Sequence, residues 1–178
     1  MKFFTRLNAI LFLVLTLSFS SQAQNSNPFS FGFNISQVQN DFGIGIDIIT
    51  PYFSKSKVAF RISGNIKWFE YVAGEETTWS PYQSLQFGIR GRQFIIEDKF
   101  FAYGEGGLMV LLPNSDFSSD SVESGGYGLF GFEFKPSIKY GFFLEMGGVG
   151  IGAKADRVAN IPIYSNGFIS TVGFRITP

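Results

Sequence analysis

The chain has 178 residues, with 14 Lys+Arg against 14 Asp+Glu, no His and no Cys. Charged residues make up 16% and aromatic residues 18%, with 23 Phe and 21 Gly, whereas an ordinary soluble domain is about 25% charged. The missing His and Cys exclude His-based triads, Cys nucleophiles, disulfides, His-ligated haem and zinc sites with N or S ligands. The balanced charge also excludes a nucleic-acid surface, which needs a clustered basic excess.

The N-terminus reads as an export address. Lys2 and Arg6 precede a short apolar stretch from Ala9 to Leu17, and Ser21-Gln22-Ala23 suits a signal peptidase. Residues 1–23 are therefore expected to be a signal peptide and residues 24–178 one domain. An uncleaved membrane helix is the alternative, but the apolar run falls short of the ~20 residues such a helix needs. Loss of Lys2 and Arg6 leaves 12 bases against 14 acids, a net charge of −2. With no Cys after the signal, a lipid anchor is not expected.

Period-two alternation then recurs along the chain. Phe29, Phe31, Phe33 and Ile35 alternate with Ser30, Gly32, Asn34 and Ser36, and Phe42, Ile44, Ile46 and Ile48 with Gly43, Gly45 and Asp47. Val58, Phe60, Ile62, Ile66 and Trp68 oppose Arg61, Ser63, Asn65 and Lys67. Such alternation places the apolar members on one face of a strand. Further strands are predicted over Tyr82–Arg92, Phe100–Leu112, Gly126–Lys135, Tyr140–Ala153 and Asn166–Thr177, which makes eight. The connections are Gln37–Asp41, Pro51–Lys57, Glu70–Trp79, Gln93–Lys99, Asn114–Ser124, Pro136–Lys139 and Ala155–Ser165. The third, fifth and seventh are longer and polar, as outer loops are in a membrane barrel with short periplasmic turns.

Alternation alone fits a soluble barrel equally well, so the polar face decides. A soluble barrel covers that face with Lys and Glu. Here it carries Gly, Ser, Asn and Gln with sparse charges of both signs: Asp47, Arg61, Lys67, Arg90, Glu105, Glu133, Glu145 and Arg175. Those eight are the candidate lumen network, because eight strands leave room inside for side chains only. Backbone in lipid must be bonded within the protein, and closure supplies that without a long apolar helix. Trp68, Tyr71, Trp79 and Tyr82 are expected in an aromatic girdle, and Gly104, Gly106, Gly107, Gly147, Gly148, Gly150 and Gly152 where strands crowd or bend.

The signal ending in Ala-Gln, the Phe/Gly alternation and the segment Phe101-Ala102-Tyr103-Gly104-Glu105-Gly106-Gly107 resemble the small outer-membrane β-barrel family of Gram-negative bacteria, the OmpA-barrel and OmpX-like group. The resemblance spans residues 24–178 and implies an all-β, closed antiparallel transmembrane barrel of up-and-down topology. It departs at the C-terminus, where Phe174 is followed by Arg175-Ile176-Thr177-Pro178 instead of ending the chain. Many such proteins end on an aromatic residue read by the assembly machinery.

Weighed as chemistry, Glu105, Glu133 and Glu145 could form an acid–base pair, but buried carboxylates in a narrow lumen are expected to pair with Arg61, Arg90 and Arg175. The Gly148–Ala153 glycine pattern lacks the following helix that a dinucleotide site needs. Asp116, Asp120 and Glu123 have oxygen ligands that suit calcium, yet match no calcium loop and read as a solvated acidic loop. No catalytic residue, metal, cofactor or enzymatic activity is expected. The expected partners are outer-membrane lipid and the barrel assembly machinery, and the expected location is the cell outer membrane. The function expected is a structural, adhesion or interaction role through the outer loops. A small porin-like channel and a soluble periplasmic lipid-binding barrel are the alternatives.

Overall fold

A computed structural model describes residues 28–73, 76–96 and 99–178, so the expected signal peptide lies outside the described residues. Ten strands run in chain order: β1 (Ser30–Val38), β2 (Asp41–Ile49), β3 (Val58–Ala73), β4 (Glu76–Ile96), β5 (Phe100–Leu112), β6 (Glu123–Ser137), β7 (Tyr140–Gly150), β8 (Ala153–Lys154), β9 (Ile163–Tyr164) and β10 (Gly167–Ile176). Eight of them form a closed antiparallel barrel in which each stave pairs with its sequence neighbour, and β10 returns to β1 along Phe31↔Ile176 to Val38↔Ile169. β8 and β9 form a two-stranded hairpin inside the last loop. Closure leaves no unpaired edge around the ring, the condition that sparse apolar helix content imposes on a spanning fold.

The eight predicted staves are all present, with shifted ends. The expected third loop, Glu70–Trp79, is instead the arm of a long hairpin: β3 and β4 stay in register from Val58↔Gly91 to Ala73↔Glu76. β2 pairs with β3 only as far as Phe42↔Trp68, and β5 meets β4 only from Gln83, so the arm stands clear of the ring. Thr and Trp in Glu76-Thr77-Thr78-Trp79 favour extended backbone, which outweighs the polarity that suggested a loop. Pro81 lies on the arm where β5 does not yet pair, so its missing N–H leaves no ladder bond unmade. Likewise β4 continues through Gln93–Ile96, β6 reaches Ser137, and β7 stops at Gly150, short of the expected Ala153. Pro136 falls in the register shift between Phe134 and Ser137, the kind of bulge that tolerates proline.

The faces are inverted relative to a water-soluble protein. Ile46 is 64% exposed and Leu108 67%, while Arg90 is fully buried and Arg175 is 1% exposed. The outer surface is a belt of Phe, Ile, Leu and Val, broken by glycine. Of the expected girdle, Trp68 and Trp79 face outward, and Trp68 stacks on Phe42 at 6.1 Å. Tyr71 and Tyr82 do not: both point inward, Tyr82 with only 2% exposure. The reason is parity, since Tyr82 shares its face with Ser80, Ser84 and Gln86. The glycines also divide. A Cβ on Gly107 or Gly147 would lie 2.0 and 2.1 Å from a neighbouring backbone oxygen, so these two relieve crowding. Gly104, Gly106, Gly148 and Gly150 face outward, the first and last into open space and the other two at ordinary contact distance from a backbone oxygen, so no crowding explains them.

Candidate functional site

Because inward residues come from every second position of eight staves, the lumen gathers side chains that are far apart in sequence. Seven of the eight candidate residues meet in one layer. The Arg61 guanidinium reaches Glu145 (3.0 Å to both oxygens), Glu105 (3.3 Å) and Asp47 (3.3 Å). Arg90 donates to Glu105 and Glu145, each at 2.8 Å, and Arg175 to Glu133 at 2.6 Å and Asp47 at 3.4 Å. Two tyrosines that the sequence did not single out complete it: Tyr103 donates to Glu145 at 2.8 Å and Tyr127 to Glu105 at 2.7 Å. Arg90 also lies 3.9 Å from the Tyr103 ring centroid, and Arg175 4.2 Å from that of Phe143.

Glycine makes the room. Gly32 pairs with Asp47, and a Cβ there would sit 2.3 Å from the carboxylate; one on Gly131 would sit 2.5 Å from the Tyr103 ring. Each large polar group thus lies across a neighbouring stave that offers no side chain. Arginine suits this layer because its planar donors can serve two or three carboxylates at once.

Lys67, the eighth candidate, stands apart. It is 1% exposed, and its Nζ has no hydrogen-bond partner among the described residues. It borders a void of about 10 Å³ together with Asn34, Ser36, Asn65, Gln86 and Thr171, space for roughly one water.

Above the ionic layer the lumen turns apolar, which the sequence reading did not foresee. Phe69, Tyr82, Phe117 and Tyr164 form an aromatic plug, with Phe117 5.1 Å from Phe69 and 5.0 Å from Tyr164 between ring centroids. Phe117 comes from the 113–122 loop. There Asn114 Oδ1 accepts the Asp116 N–H at 3.0 Å and the Asn114 carbonyl accepts Ser118 N–H at 3.1 Å, a turn that drives Phe117 inward. The loop is tied to the 151–166 loop: Arg157 N–H donates to the Phe117 carbonyl at 3.1 Å, Arg157 Nη1 to Ser115 O at 2.6 Å, and Ser119 to Asp156 through both N–H and hydroxyl. Those two donations hold the Asp156 carboxyl below the usual aspartate range. Asp41 pins the plug from the start of β2, accepting Tyr82 OH at 2.6 Å and Ser165 N–H at 3.0 Å. A lone Phe in a Ser- and Asp-rich loop is the only signal the sequence offered for this plug.

Chemically the lumen is closed. The three glutamates are engaged by arginines, the void of about 10 Å³ has room for roughly one water, and the plug caps it. Asp116, Asp120 and Glu123 are exposed or half-exposed in the acidic loop and its edge, and no cluster of three metal-ligating side chains occurs among the described residues. Gly148 and Gly150 lie within β7, paired with β6 and, for Gly148, with β10.

No protein-family model matches the sequence, and neither does any curated protein. Solved structures do match. The N-terminal β-barrel domain of Pseudomonas aeruginosa OprF is 11% identical, covering 86% of this chain and 98% of that one at a TM-score of 0.54. The Yersinia pestis outer membrane protein Ail in a phospholipid bilayer nanodisc is 12% identical over 84% of this chain and 99% of that one, at a TM-score of 0.47. The likeness to the OprF domain is one of fold: an eight-stranded antiparallel barrel.

Proposed function

We propose that this chain is an integral outer-membrane barrel, exported through a cleaved signal peptide, with a non-enzymatic structural or interaction role carried by its loop end. One observation carries the reading: an apolar belt free of charge outside and an enclosed ion-pair layer inside. In water such a belt would be an aggregation surface, whereas in lipid it is the favourable face. Stave lengths agree, since β1 and β2 have 9 residues, β10 has 10 and β7 has 11. A transmembrane strand needs about 9–11. Assembly machinery for barrels would be required to insert it.

The filled lumen supports a surface role over a channel. Passage of even a hydrated ion would require both the aromatic plug and the arginine–carboxylate layer to part. Outer-membrane fractions run on a gel with and without boiling should give a band that shifts on heating, and planar bilayers should show no steady conductance. A soluble, unshifted band would overturn the membrane reading; solute-dependent current would overturn the closed lumen.

A further inference from the structure

The charged side chains outside the lumen sort by end, and none interrupts the apolar belt. At the loop end Glu70, Glu76, Asp116, Asp120, Glu123 and Asp156 outnumber Lys154 and Arg157. At the turn end the sign reverses. Lys55, Lys57, Arg92, Lys99, Lys135 and Lys139 gather there, and the only acid near them among the described residues is Glu133, which is engaged by Arg175 and Lys135. The sequence adds Glu75 to the hairpin tip and Glu97 and Asp98 to the β4–β5 turn, which still leaves base in excess at that end.

Four of these cations are exposed, and all three turns of that end supply them: Lys55 and Lys57 from β2–β3, Lys99 from β4–β5 and Lys139 from β6–β7. They therefore encircle the barrel instead of clustering. Each stands where the belt stops. Lys139 lies between Ile138, 86% exposed, and Tyr140, 50%; Lys55 follows Phe53 by two residues and Lys99 follows Ile96 by three. The first turn is braced: Lys57 N–H bonds the Phe53 carbonyl at 3.0 Å, and Arg92 Nε bonds Ser56 O at 3.0 Å while stacking 3.6 Å from the Tyr52 ring centroid. A lysine with its stem along apolar surface and its ammonium beyond it sits at headgroup depth in a bilayer.

We propose that the turn end is a docking ring for anionic phospholipid, in which Lys55, Lys57, Lys99 and Lys139 bind headgroup phosphates of one leaflet. The ring rests on the membrane reading above. The acidic loop end has the wrong sign for such lipid, so the preference belongs to a single leaflet and orients the barrel.

The test reconstitutes the mature chain, residues 24–178, into phosphatidylcholine vesicles and measures, by electron spin resonance, the share of spin-labelled phosphatidylglycerol or phosphatidylcholine immobilised at the barrel. Phosphatidylglycerol should be favoured by about fivefold at low salt, the size of one good lysine–headgroup contact. The preference should vanish in ~1 M NaCl, where the screening length shrinks to about 3 Å. The combined variant Lys55→Gln, Lys57→Gln, Lys99→Gln, Lys139→Gln should lose it, whereas Lys154→Gln at the opposite end should keep it. Equal association of the two lipids, or a preference that survives 1 M salt or the four changes, overturns the ring. The salt arm decides the matter on the unaltered protein even if the fourfold variant does not fold. A chain that never gives a heat-shifted band in vesicles overturns the membrane reading itself, a separate readout from lipid preference.

Discussion

Replacing Glu145 by Gln removes the acceptor on which most of the lumen layer converges. Its carboxylate takes bonds from Arg61 at 3.0 Å, from Arg90 at 2.8 Å and from Tyr103 at 2.8 Å, at 2% exposure. The amide keeps one oxygen but turns an N–H₂ toward an arginine donor, and the layer loses one of its four acids. Breaking a buried pair by removing one partner costs about 3–5 kcal/mol. Arg61 keeps Asp47 and Glu105, and Arg90 keeps Glu105, so the lower end applies: about 3 kcal/mol, roughly a hundredfold in the folded ratio. Urea unfolding from vesicles, followed by the outward-facing Trp68 and Trp79, reads this as a lower midpoint at unchanged slope. The double variant Arg61→Met, Glu145→Leu restores the charge balance and should recover at least half the cost, as paired apolar replacements of buried ions do. A loss below ~1 kcal/mol for Glu145→Gln, or strict additivity in the cycle, would refute the claim that these residues form one coupled layer.

Phe117→Ala should free the 113–122 loop, giving faster proteolysis there with little change in barrel unfolding, because Phe117 enters the plug from a loop outside the stave ladder. Ile46→Arg on the outer belt should cost about 2–4 kcal/mol in lipid, as a midplane cation does; a neutral effect would mean that this face meets water. Gly131→Leu should abolish the heat-shifted band by colliding with Tyr103, while Gly104→Val, which faces open space, should not. The Ser119–Asp156 tie has a depressed carboxyl pKa, so its contribution is present above the ordinary aspartate value of about 3.9 and is lost as pH falls through the lower folded value. Limited proteolysis of the two outer loops should therefore rise in acid, and Asp156→Asn should remove that dependence.

What the sequence made legible follows from parity. Arg61, Arg90, Glu105, Glu145 and Arg175 could be assigned inward because each sits on the polar side of a clean alternation, and the structure seats them there. Parity says nothing about depth, so it could not separate Lys67 from the ion-pair layer. Nor could it anticipate that inward residues near the loops would be Phe69 and Tyr82, since a plug requires apolar groups on the face that is polar lower down. The arm over Phe69–Tyr82 was obscured for another reason. Its glutamates read as loop, yet Glu70 and Glu76 lie on the arm's exposed side while Phe69, Tyr71 and Tyr82 occupy its inner side.

An apolar filling would close the lumen as well, so the cost of burying arginine needs its own reason. For a barrel in lipid, an interior of Leu and Ile would give each strand two equivalent faces. A one-residue slip, which exchanges the faces, would then cost little. The charges remove that degeneracy. Slipping β4 by one residue would turn Arg90 into lipid at about 2–4 kcal/mol and leave its partner acids unpaired, and slipping β3 would expose both Arg61 and Lys67. Each of β2 to β7 and β10 places at least one charge inside; β1 carries none and is flanked by β2 and β10, whose Asp47 and Arg175 bond across its Gly32. The ion-pair layer therefore contributes register as much as stability, and it leaves the loop end free to vary without endangering the barrel.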